Sequence, residues 1–263
     1  MHNLPKISII TPSFNQVKFL ERTILSVINQ KYPNLEYIIV DGGSTDGSVE
    51  IIKKYQNQLA WWVSEKDNGQ THAINKGLLK ASGELIGWQN SDDIYYKDAF
   101  YNLAIFAKKN PDVDLIVGDM MIINEEDKKI RDIKYVTPTY NSVLAEGMVL
   151  SNQASFWRKK IHKDIGYLDE KYQYSFDREW FLRVLKYYKA KHFSYFFGAI
   201  RQHKDTKSKT MSYKFKEEQI MIMSGKNLSF YKVLFYKFRR TILTILNGNL
   251  KYVFRGINRR IFK

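Results

Sequence analysis

The chain has 263 residues, 44% hydrophobic and 15% aromatic, which supports a packed core and excludes wholesale disorder. It contains no cysteine, so disulfides, zinc–thiolate sites and thiol nucleophiles are excluded, and a reducing compartment fits. The net charge of +15 is concentrated: residues 219–263 carry ten basic residues, from Lys226 to Lys263, and no acid.

The first apolar run, ISII, is interrupted at once by polar residues, so no signal peptide is expected. No stretch reaches the roughly 18–20 apolar residues that span a bilayer, and the chain reads as soluble or peripheral. KISIITPSFN is a buried strand running into a loop, and QVKFLERTILSVINQ places Phe19, Leu20, Ile24, Val27 and Ile28 at helical spacing. LEYIIVDGGSTDGS is a second strand stopping at Asp41, with Ser44, Thr45 and Asp46 as N-cap candidates for the helix SVEIIKKYQNQ. LAWWVSEKDNG is a third strand, QTHAINKGLLKAS a helix closed by Gly83, and GELIGWQNSDD a fourth strand. Beyond Pro111, DVDLIVGDMMIIN and HFSYFFGAI read as strands and FDREWFLRVLKYY as a helix. This alternation predicts an α/β fold, a mostly parallel sheet with helices on both faces. No linker or repeat divides residues 1–218, which are taken as one domain, with 219–263 as a basic amphipathic helical extension.

In such sheets ligands collect at the carboxyl ends of the strands. Four successive ends carry polar residues: Thr11, Ser13 and Asn15; Asp41 with Gly42 and Gly43; Glu65 and Asp67; Asn90, Asp92 and Asp93. Turn chemistry explains any one of these loops, whereas all four together point to a shared polar pocket. The first loop, TPSFNQ, lacks glycine, which removes a dinucleotide fingerprint, and no P-loop, H-E-x-x-H or G-x-S-x-G motif is present.

The segments ISIITPSFN, IIVDGGSTDGS, EKDNGQTHAINKG and GELIGWQNSDD, in that order, resemble the family 2 glycosyltransferases of the GT-A fold, over roughly residues 5–210. The resemblance implies inverting transfer of a sugar from a nucleotide diphosphate donor, with Mg²⁺ or Mn²⁺ as cofactor. A hard cation held by carboxylates is the economical stabiliser of a departing diphosphate. By the same resemblance Asp92 is the metal ligand of a D-x-D motif whose first acid is Asn90 here, an amide that can still bond the donor. Asp93 either positions the donor sugar or caps the helix in YYKDAFYNLAIFAKK. Pro12 and Asn15 are expected at the base pocket, Asp41 on the base edge, which suits UDP or dTDP, and Asp67 near base or ribose. A turn role for Asp41 stays open. His72 and Asn75, one helical turn apart, face either pocket or solvent. An inverting displacement needs a base. SFDREWFLRVLK resembles the family's later acidic motif, which makes Asp177 the candidate and Glu179 its alternative, or else marks both as helix-start acids. Phe176 stands where an acid usually precedes. In IRQHKDTKSKT, His203 is expected to complete the metal shell and Arg201 to meet a phosphate. The departures at Asn90 and Phe176 leave room for a non-catalytic sugar-nucleotide or glycan-binding protein on the same fold.

In the extension, Leu234, Phe235, Phe238, Ile242, Ile245 and Leu246 share one helical face, with Lys237, Arg239 and Arg240 outside it. Leu250, Val253, Phe254, Ile257 and Ile261 form a second stripe beside Arg255, Arg259 and Arg260. One reading is docking to an anionic membrane. Another is that the stripes pack on the catalytic domain. Nucleic-acid binding is disfavoured, because no recognition module accompanies the charge. With the resemblance, this predicts a cytoplasmic enzyme, peripheral at the inner face of the cell membrane, acting on a lipid-linked or cell-surface glycan.

Overall fold

The computed structural model describes residues 4–204 and 206–261, with their side chains except at 208, 209 and 257–261. The elements follow the chain as β1 (Ile7–Ser13), α1 (Val17–Ile28), β2 (Leu35–Asp41), α2 (Ser48–Tyr55), β3 (Trp61–Ser64), α3 (Gln70–Lys80) and β4 (Leu85–Trp88). Next come β5 (Ile94–Tyr95), α4 (Ala99–Lys109), β6 (Leu115–Ile123), β7 (Lys129–Ile133), α5 (Tyr140–Glu146), β8 (Ser155–Arg158), α6 (Lys160–Ile165), α7 (Phe176–Tyr187) and β9 (Ala190–Arg201). Helices α8 (Lys207–Thr210), α9 (Ser212–Met223), α10 (Phe230–Leu246) and α11 (Leu250–Ile261) complete the described chain.

One sheet runs in the order β3-β2-β1-β4-β8-β6-β9-β5, with β7 added beside β6. Its first half is parallel, as the alternation predicts: β1 pairs with β2 and β4, and β2 with β3. Beyond β4 the direction mixes. Strand β8 is antiparallel to both β4 and β6, while β6 and β9 are parallel. Every residue of β1 is buried, the signature of a central strand covered on both faces. Helices α1, α2 and α4 cover one face through Leu20, Ile24, Ile52, Phe100 and Leu103. Helices α3, α5, α6 and α7 cover the other through Ile74, Leu78, Val143, Ile161, Trp180 and Phe181.

Two local features tighten the parallel half. Asp46 does not cap α2 from the N-cap position, which Gly47 occupies. Instead its carboxylate accepts from the first amides of two helices, Val17 at 2.9 Å and Ser48 at 3.0 Å. Gly77 lets α3 sit directly on β1, since a Cβ there would lie 2.4 Å from Ile10 Cγ2. Gly77→Ala is therefore expected to lose about 1–3 kcal/mol by overpacking, more than the helix-propensity gain, and urea denaturation measures it.

Three sequence expectations change at this level. A boundary at 218/219 cuts through α9. Glu218 accepts the amides of Gln173, Tyr174 and Ser175 at 2.7–2.9 Å, and Ile222 is buried in the core, so α9 belongs to the domain. Helix α4 begins at Ala99, with Asp98 before it, so Asp93 is too far upstream to cap it. The apolar stripe of α10 does not pack on the domain. The opposite face does, where Asn141 donates to the Tyr236 hydroxyl, Arg239 lies against the Thr137 carbonyl and Arg240 pairs with Glu146. In the second stripe Leu250 and Phe254 are exposed, while Ile257, Arg259, Arg260 and Ile261 lie outside the described side chains.

Candidate active site

The carboxyl ends of β1, β2, β3 and β4 border one cleft of about 970 Å³, within the range of small-molecule sites. Its lining includes Pro12, Asp67, Asn90, Asp92, Asp93, Asp177 and Arg201. The β4 end is held from several sides. The Thr23 hydroxyl of α1 lies 2.9 Å from the Ser91 carbonyl and 2.7 Å from that of Asp93. Behind it, Trp88 packs against Trp157, Trp180, Phe176 and Phe181, with ring centroids 5.4–6.2 Å apart. This aromatic block fixes the start of α7, and with it Asp177, relative to the loop after β4. Phe176 belongs to the block, which gives an apolar residue at that position a packing role.

The adjacent acids part company. Asp93 is buried and turned inward, accepting from the Arg201 amide at 2.8 Å, Gln153 Nε2 at 2.5 Å and Asn90 Nδ2 at 3.2 Å. Burial pushes its carboxyl well above the usual range, and the charge of Asp92 adds to this against those three donors. Asp92 reaches the other way, its Oδ2 3.0 Å from Nε2 of His203, 111 residues later. The expected pair thus meets in space. Among the described residues no third His, Asp or Glu joins them as a metal-holding group. One carboxylate and one imidazole are still a fitting donor set for Mg²⁺ or Mn²⁺, which commonly take one or two protein ligands and fill the other positions with phosphate oxygens and water.

Asp177 lines the cleft, with its Oδ1 2.7 Å from the Arg178 amide. Its pKa is pushed up to about 6, chiefly by burial, with a smaller contribution from the charge of Glu218. A carboxyl with that pKa is largely ionised at neutral pH and can accept a proton there. Glu179 is corrected: it forks onto Arg183 at 2.7 and 2.9 Å, while Arg183 also holds the Ile165 and Tyr167 carbonyls. Spoken for in this way, and not lining the cleft, it is unsuited to serve as the base.

Arg201 is corrected as well. It is fully buried, its Nε donating to the Asp92 carbonyl at 2.8 Å and its Nη1 to the Asn124 carbonyl at 3.2 Å and to Asp127. It braces the loop that carries Asp92 and offers only Nη2, which has no partner among the described residues. Asp41, expected on the base edge, is saturated too, accepting from the amides of Gly43 and Ser44 and the hydroxyls of Ser44 and Ser64, and it does not line the cleft, whose wall here is Gly42 and Gly43. Asn15 joins two loops, its amide on Ser44 Oγ and its Oδ1 accepting from Thr45, and does not line the cleft. Asp67 does line it, closing over Gly42, where a Cβ would lie 2.6 Å from its Oδ2. Asn75 faces neither pocket nor solvent, being bonded to Leu168 and Glu170, and His72 accepts from the Asn68 amide.

Sequence reasoning missed Gln70, which donates to Asn90 at 3.1 Å, Gln153, and Lys207, whose Nζ meets the Gln173 carbonyl at 2.9 Å at the cleft edge. The only signal for Gln153 is a polar triplet, Ser151–Gln153, just ahead of the buried strand β8.

The family model for glycosyl transferase family 2 matches residues 8–166. An uncharacterized glycosyltransferase of Mycobacterium tuberculosis is 32% identical over 187 residues, 70% of each chain. The poly-beta-1,6-N-acetyl-D-glucosamine synthase of Staphylococcus epidermidis is 29% identical over 173 residues, 62% of this chain and 42% of that protein. Residues 1–349 of S. aureus TarS, solved with UDP-GlcNAc, superpose with a TM-score of 0.67 at 21% identity, over 83% of this chain and 66% of that one, which shows the GT-A type of fold. The longer TarS chain is matched over 42% of its length. With a family model covering more than half of its length and a relative of this identity, the chain belongs to glycosyl transferase family 2 and is a glycosyltransferase.

Proposed function

We propose that the enzyme moves a sugar, with inversion, from a nucleoside diphosphate donor, UDP or dTDP, to a lipid-linked or cell-surface glycan. The observation that carries this is a carboxyl with a pKa near 6, Asp177, lining the same cleft as Asp92 with its partner His203. Asp177 takes the proton of the acceptor hydroxyl while that oxygen attacks the anomeric carbon. The bond from that carbon to the diphosphate breaks on the opposite side, and the nucleoside diphosphate leaves. Asp92 and His203 would hold a Mg²⁺ or Mn²⁺ ion, which supplies charge neutralisation for the departing diphosphate. Asn90, kept in place by Gln70 and Asp93, offers its amide to the donor, and Pro12, Gly42, Gly43 and Asp67 form the wall for the nucleoside. The UDP-GlcNAc complex of TarS supports a nucleotide-sugar donor, and the S. epidermidis synthase supports a glycan product. Its place of work is the inner face of the cell membrane, where a lipid-linked acceptor is presented.

Release of nucleoside diphosphate from a panel of UDP- and dTDP-sugars, with and without Mn²⁺, tests the reading. Asp92→Ala is expected to lower turnover at least about a hundredfold, the scale of losing one electrostatic stabiliser of the leaving group. Unchanged turnover in that variant would refute the assignment of the cation site.

A further inference from the structure

Helix α10 is docked the wrong way round for a helix serving only the fold. Its polar side holds the domain through Tyr236, Arg239 and Arg240, while Phe230, Tyr231, Leu234, Phe235, Phe238 and Leu246 stand 55–81% exposed. At about 100° per residue these side chains fill an arc of roughly 160°, with Lys237 about 20° beyond one edge and Arg239 and Lys232 about 20° and 40° beyond the other. Both lysines are exposed. Across the break at Gly248, α11 adds exposed Leu250 and Phe254 beside Lys251 and Arg255. A contiguous apolar surface of this kind marks an interaction site.

We infer that the outward face of α10, continued by α11, is a lipid-docking surface that lies in the plane of an anionic membrane. This rests on the membrane location given above and specifies the surface responsible. Three observations favour lipid over a second copy of the chain or a nucleic acid. The residues from 219 to 263 carry ten basic side chains and no acid, so two copies joined through this face would oppose like charges. The apolar arc with a lysine at each margin matches an acyl–headgroup boundary, the rings buried and the ammonium groups at the lipid phosphates. A nucleic acid would use the charge and leave the arc exposed. Helix α10 also packs on α5, and the strap that follows α5, Met148 to Gln153, lines the cleft. Docking therefore brings the lipid surface alongside one wall of the active site.

The test is co-sedimentation of the full chain with mixed phosphatidylglycerol–phosphatidylcholine vesicles and with phosphatidylcholine alone. Wild type is expected to partition onto the anionic vesicles, and Phe235→Glu with Phe238→Glu to bind at least about tenfold more weakly. Both positions are exposed, so the fold is retained. Ile105→Glu, at an exposed apolar position of α4, is expected to bind as wild type does. Equal binding by wild type and the double variant would overturn the inference. So would a double variant that keeps its vesicle binding but loses self-association in sedimentation velocity, which would assign the face to a second copy. Donor turnover in solution is read separately and is expected to be unchanged in the double variant. Absent turnover with intact vesicle binding would strike the reaction and leave the docking surface standing.

Discussion

Asp177→Asn is expected to lower kcat by about 10²–10⁴-fold, the range that a positioned general base supplies. The wild-type rate should fall below a midpoint near pH 6, because Asp177 holds its proton up to about that value and only the carboxylate can take the acceptor's proton. In the variant that acid limb disappears along with most of the rate. The linkage sign gives an independent check. A carboxyl raised in the folded state binds its proton more tightly there than in the unfolded chain, so it withdraws stability as pH rises from about 4 to about 6. The variant, which cannot ionise, should be at least as stable as wild type at neutral pH. Urea midpoints measured beside the pH–rate profile separate a catalytic loss from an unfolded one. An unaltered acid limb in Asp177→Asn would remove this residue from the reaction.

Arg201→Met is expected to act on the fold first and on turnover as a result. The guanidinium is completely buried, and it serves the carbonyls of Asp92 and Asn124 as well as the Asp127 carboxylate. Removing it leaves buried acceptors without donors, a loss of about 3 kcal/mol or more. The loop that carries Asp92 then loses its brace, so, on the proposed function, more Mn²⁺ should be needed for half-maximal turnover in the same variant. Lysine cannot reproduce the fork and should recover little of the loss. A urea midpoint equal to that of wild type would return Arg201 to the phosphate-binding role.

These residues show where sequence reasoning reaches and where it stops. Strand–helix alternation and the polar strand ends located the cleft, because burial on both faces forces continuous apolar runs and turns must follow them. The Asp92–His203 pair was legible through the motifs on either side of it. What a linear pattern does not contain is the direction of a side chain within a loop. Asp92 and Asp93 are neighbours, yet one meets His203 and the other turns inward to Gln153 and the Arg201 amide. Arg201 and Glu179 looked available as charged residues in functional segments. Their partners, Asp127 and Arg183, are fixed by a loop crossing and by a helical turn. In the extension, helical periodicity cannot say which face of a helix meets the domain.

The place of β9 in the sheet sets an order of events during synthesis. Strand β5 follows directly on the Asp92–Asp93 turn, and its sheet partner is β9, more than a hundred residues later and seated between β6 and β5. As the chain emerges from its N-terminus, the parallel half around β1 can assemble while the loop after β4 still lacks β5's partner, the Arg201 brace and His203. Long-range closures of this kind form slowly. A nascent chain therefore cannot bring Asp92 and His203 together until residues 190–203 have emerged and joined the sheet. The apolar face of α10 emerges later still, so the complete cleft and that exposed face both belong to a finished catalytic domain.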